Sequence, residues 1–97
     1  MNYEKFINKN SVCIPQGVYM KIFNKYPQAI LLFEYYLYKS FIENSDNIYS
    51  ESDITKKSLV WGSKRLKRAR DVLRDLWLIE PGVDFIDENY KGTIYIK

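Results

Sequence analysis

The chain has 97 residues, 46% of them hydrophobic, enough for one core and too few for two. Its 15 basic and 12 acidic residues give a net charge of +3, but eight of the basic residues and one acid lie between positions 56 and 74, so a segment at +7 faces a remainder at −4. With no histidine and one cysteine, Cys13, an internal disulfide is excluded and a zinc site or histidine-based catalysis is not expected, so the chain reads as a non-enzyme without a cofactor.

Residues 1–11 offer only Tyr3, Phe6 and Ile7 as apolar anchors, which suits a loosely held arm or a short helix lying on another element. The arm is taken as residues 1–13 and the domain as 14–97. Cys13, between Val12 and Ile14, reads as a buried thiol. The N-terminus is too polar for a signal peptide, and the longest nearly apolar stretch, 30–37, is interrupted by Glu34, so an intracellular protein without membrane association is expected.

After Pro15, residues Tyr19, Ile22, Phe23 and Tyr26 follow helical spacing up to the stop at 24–27, predicting a short first helix. Pro27 suits a helix start, and residues 28 to about 43 contain no Gly or Pro. Ile30, Phe33, Leu37 and Phe41 form one apolar stripe of this central helix, while Leu31, Tyr35, Tyr38 and Ile42 form a second. Burial on more than one side is therefore expected, under the N-terminal segment or a second copy of the chain, and the second face is the candidate homodimer interface.

A polar break at 44–47 precedes Ile48 and Tyr49, which suit one short strand. Ser50 and Asp53 have capping-box spacing for a helix to about residue 58, with Ile54 as its main inward residue. Gly62 or Ser63 then opens a basic helix to about residue 76, with Leu66, Ala69, Leu73 and Leu76 inward and Ser63, Lys64, Lys67, Arg68 and Arg74 outward. Leu78 and Ile79 pack behind it. From Pro81 the period falls to two, and Val83, Phe85, Ile94 and Ile96 alternate around a polar segment at 87–92, predicting a hairpin with Gly92 in its turn.

The run SESDITKKSLVWGSKRLKRARDVLRDLWLIE resembles the winged helix-turn-helix family, in which a capped helix, a turn, a second helix with Ser or Thr near its start, and a closing apolar pair precede a wing. VDFIDENYKGTIYI stands in the wing's place, and IPQGVYMKIFNKYPQAILLFEYYLY is similar to the lead-in of such modules in phage and plasmid replication initiators. Together they span most of residues 14–97. The chain departs from the family at two glycines, with Leu59, Val60 and Trp61 in the turn and Trp77 before the closing pair Leu78 and Ile79. The resemblance implies an α+β, mainly helical fold of three to four helices with a C-terminal β-hairpin wing, in the cytoplasm of a prokaryotic or virus-infected cell.

On this resemblance the basic helix, 62–76, enters the major groove of double-stranded DNA. Ser63, Lys64, Arg65, Lys67 and Arg68 are the candidate base-facing residues, because Arg and Lys address guanine O6 and N7. Lys56 and Lys57 are assigned to phosphate, and Asn89, Tyr90 and Lys91, at the wing tip, to the neighbouring backbone or minor groove. The expected role is that of a homodimeric transcriptional regulator or replication-control factor of a phage or plasmid-type element, with no small-molecule ligand. A winged-helix module that holds an acidic protein partner on the same basic face is the alternative. The blander reading of a charge run is a solvated helix face, but such faces usually mix signs. Trp61 and Trp77 are read as packing residues, and no carboxylate pair has a partner suited to catalysis.

Overall fold

A computed structural model describes residues 1–85 and 91–97, the side chains of Ser52 and Asp53 excepted. The chain opens with a 3-10 helix (Asn2–Phe6) and a small hairpin of β1 (Ile7–Asn8) and β2 (Ser11–Val12), followed by α1 (Gln16–Lys25) and α2 (Ala29–Glu43). Next come β3 (Asn47–Ser50), α3 (Ser52–Leu59), α4 (Ser63–Asp75), β4 (Ile79–Pro81) and β5 (Gly92–Ile96). The fold class is α+β, and no described helix is long and apolar enough to cross a membrane.

The central helix organises the core. Ala29, Ile30, Leu32, Phe33, Tyr36, Leu37 and Ser40 turn a single broad buried face toward α1, α4, the 3-10 helix and the sheet. The N-terminal segment is docked rather than loose: Tyr3 and Phe6 are buried, and the Phe6 ring meets Phe33 edge-on at 5.1 Å. Asp46 holds the segment's start, its carboxylate accepting the N–H groups of Asn2 at 2.7 Å and Tyr3 at 2.8 Å. These are two amides that a helix start leaves without an internal acceptor.

β5 is the middle strand of an antiparallel sheet ordered β3-β5-β4, with Ile48 opposite Ile94 and Ile79 opposite Ile96. Those four isoleucines point into the core, as the period of two requires. The expected alternation does not hold at Val83. Pairing on β4 ends at Pro81, and Val83 stands fully in solvent. Gly92 begins β5 rather than forming the turn; a Cβ there would meet the Phe85 Cα at 2.4 Å, and its φ of +143° disfavours any side chain.

Other positions also depart from the sequence reading. Ile54 faces solvent because Thr55 and Leu59, four residues apart, set the inward line of α3. Ser50 is a buried strand residue, and Glu51 occupies the N-cap position without a side-chain cap bond. In α1 only Ile22 is fully buried, while Tyr19 and Phe23 stack on each other at the surface, 6.4 Å apart. Cys13 is exposed.

Helices α2, α3 and α4 end alike. Asn44, Val60 and Trp77 adopt left-handed backbone, and the next residue's N–H reaches back five positions: Ser45 to Ser40 O, Trp61 to Lys56 O, Leu78 to Leu73 O. This Schellman closure favours glycine at the left-handed residue. The two places where the sequence lacks an expected glycine are thus places where valine and tryptophan take a glycine-like conformation.

Candidate nucleic-acid interface

The basic segment is displayed by α3, the turn and α4. Leu66, Ala69 and Leu73 are buried, which anchors α4 by its apolar stripe against α2. Its opposite face then projects outward for reasons of helical period alone. Lys64, Arg65, Lys67 and Arg68 are all exposed on the N-terminal half of α4, and Lys57 is exposed at the end of α3.

The turn brings Lys56, Lys57 and Ser63 around one shallow groove that also includes Val60, Trp61 and Gly62. Lys56 Nζ donates to Ser63 Oγ at 3.1 Å, tying the two helices across the turn. Trp61 is buried under it, and the Arg65 guanidinium lies 5.8 Å from the Trp61 ring centroid. No side chain caps the start of α4, and the first helical bond is Leu66 N–H to Gly62 O. The amides before Leu66 are therefore oriented outward with the positive end of the helix dipole, an arrangement that favours anions.

A second depression runs beside Lys64, Lys67, Arg68 and Val72 to Asp71 and Asp75. Here the charges are organised rather than free. Arg68 lies over the Tyr26 ring at 4.6 Å, a cation–π contact that links α4 to the end of α1. Asp71 gathers Arg70 at 3.3 Å and both Lys67 and Arg74 at 3.6 Å. Most of the positive potential therefore falls on residues 64–68, ahead of that acid.

One member of the basic run is not on the surface. Arg70 is buried, with its guanidinium 4.7 Å from the Phe85 ring. Its spacing gave the signal: residues 66, 69, 70 and 73 are the i, i+3, i+4, i+7 positions of one helix face. Trp77, read as a packing residue, is 76% exposed. Lys91 is exposed just before β5, whereas Asn89 and Tyr90 lie outside the described residues.

At the base of the β4–β5 connection, Asp84 accepts the Thr93 N–H at 3.1 Å and the Thr93 hydroxyl at 2.9 Å. These bonds to the charged carboxylate hold its pKa below the usual value. On α2, Leu31, Tyr38 and Ile42 are 53%, 57% and 63% exposed and Tyr35 is half-buried, so the second apolar face is left open rather than covered by the N-terminal segment.

No family model matches this chain, and neither does any curated protein or solved structure. Among the described residues no group of three His, Cys, Asp or Glu side chains could hold a metal ion.

Proposed function

We propose that this is a winged helix-turn-helix protein that binds double-stranded DNA, with α3 and α4 as the helix pair and the β4–β5 hairpin as the wing. The observation that carries the proposal is the division of α4 into a sequestered apolar stripe and an outer face with four exposed cations in its first two turns. A helix of this kind fits the major groove, where Arg68 and Arg65 can reach base edges and Lys64 and Lys67 can reach bases or backbone. Lys56, Lys57 and the Ser63 end of α4 suit the flanking phosphates. Stacking of Arg68 on Tyr26 limits its rotamers before binding, which lowers the entropy lost on docking. The role we assign is control of transcription or replication by a homodimer whose subunits meet through Leu31, Tyr35, Tyr38 and Ile42.

The test is a duplex-binding titration at two or more salt concentrations. Replacing Lys67 and Arg68 together with Ala should reduce affinity at least tenfold without unfolding the protein, because each lost base contact costs about 1–3 kcal/mol and both side chains are exposed. Lys57→Ala should weaken all sequences alike and lower the salt slope by about one unit. Unchanged affinity in the folded double variant would refute the reading. An acidic protein partner would instead be indicated by a parent that binds no duplex at low salt.

A further inference from the structure

Trp77 stands where its side chain is costly. Its φ is +62°, in the slot where the end of α4 would best accept glycine, and its indole is 76% exposed, so it contributes little to the core. A strained, solvent-facing tryptophan is an outlier from which a binding role can be argued. It borders a surface pocket shared with Lys25, Arg74, Asp75, Glu80 and Lys97. The Lys97 ammonium lies 5.4 Å from the indole centroid, leaving most of the ring open.

Three cations, Lys25, Arg74 and Lys97, line the pocket with two acids, Asp75 and Glu80. Arg74 pairs with Asp75 at 3.9 Å and with Asp71 at 3.6 Å, and Lys97 pairs with Glu80 at 3.4 Å, which leaves Lys25 as the lining cation with no ion pair among the described residues. Asp75 and Glu80 are mostly exposed, so their pairs are weak and can exchange for a phosphate. We propose that Trp77, Arg74, Lys25 and Lys97 form a site for an unpaired nucleotide, its base stacked on the indole and its phosphate on the cations. A π platform with cations at its edge takes this chemistry better than it takes an apolar peptide. The site is independent of the duplex reading, since it lies at the far end of α4, about 18 Å along the helix from Ser63.

The nucleotide could belong to a single strand or be free, and one experiment separates these sources. The full chain is titrated with oligothymidylate and, separately, with thymidine 5′-monophosphate, following tryptophan emission and the anisotropy of a labelled oligomer. Oligothymidylate should quench emission through the exposed Trp77, with a shallow salt slope of about one phosphate. Trp77→Gly should keep the fold, since glycine suits the slot, and lose at least about fivefold in affinity for the oligomer, while Trp77→Phe retains most of it. Lys67→Ala with Arg68→Ala should leave this site intact, so that its failure and that of the duplex interface are distinguishable. Quenching by the oligomer alone assigns the site to single strands, and equal quenching by the monophosphate assigns it to free nucleotides. Absence of quenching by both, or an unchanged oligomer affinity in Trp77→Gly, would overturn the proposal.

Discussion

Val60 is β-branched, 86% exposed and held at φ +57°, a conformation that costs an L-residue about 1–2 kcal/mol. Glycine removes that cost but adds chain entropy worth about 0.5–1 kcal/mol to the unfolded state. Val60→Gly should therefore stabilise the fold by about 0.5–1 kcal/mol, seen as a rise of a few degrees in Tm; a fall would show that the side chain makes a contact the backbone strain conceals. Tyr36 offers a pH test. Burial pushes its hydroxyl up to about 12 from 10, against the smaller opposing effects of Ser50 and Arg70. The folded state thus keeps this proton after the unfolded chain has released it, so its contribution is intact below pH 10 and is lost as pH rises from 10 to about 12. Tyr36→Phe should flatten the loss of stability across that interval in alkaline denaturation curves.

At the scale of elements, α4 is held by its stripe and the sheet by β5. Leu73 is wholly buried between α4 and the core, so Leu73→Ala should cost roughly 2–5 kcal/mol, a large share of the stability of a domain this small. A chemical denaturation midpoint close to the parent's would refute that placement. The register of α4 was legible because Leu66, Ala69 and Leu73 repeat at helical spacing over several turns. α3 was not, because its eight residues carry too few apolar positions to fix a face, and Thr55 rather than Ile54 turned inward. The N-terminal segment is secured by Asp46, which is 43 residues from Tyr3 in sequence. Asp46→Ala should accordingly release residues 2 and 3, and their amide hydrogen exchange should accelerate toward that of a free terminus while the α2 amides stay protected.

For the whole molecule, the radius of gyration of 12.3 Å is close to the roughly 12.5 Å expected of a compact chain of this length, as it must be if the N-terminal segment lies against the body. That packing leaves the row Leu31, Tyr38 and Ile42 in solvent on the outer side of α2. In the homodimer we propose, this row would pack against its symmetry mate and set two α4 helices roughly 34 Å apart, one turn of DNA. Tyr38→Glu with Ile42→Glu should then yield a folded monomer with much weaker duplex binding. Sedimentation that finds the parent monomeric at high concentration would reject the dimer and leave the row without a partner.

Sequence periodicity alone determined the order of the main helices, the buried stripe of α4 with its cationic outer face, and the inward isoleucines of the C-terminal strands, because each is written in residues a few positions apart. Only the tertiary structure decided what depends on distant partners. It paired β3 with β5, docked Tyr3 and Phe6 on α2, and drew Arg70 inward beside Phe85. It also separated the two tryptophans, one beneath the turn and one in solvent, although both follow apolar neighbours in sequence. Local spacing fixes which way a side chain leaves its own helix; whether it then meets protein or water depends on chain brought there by the rest of the fold.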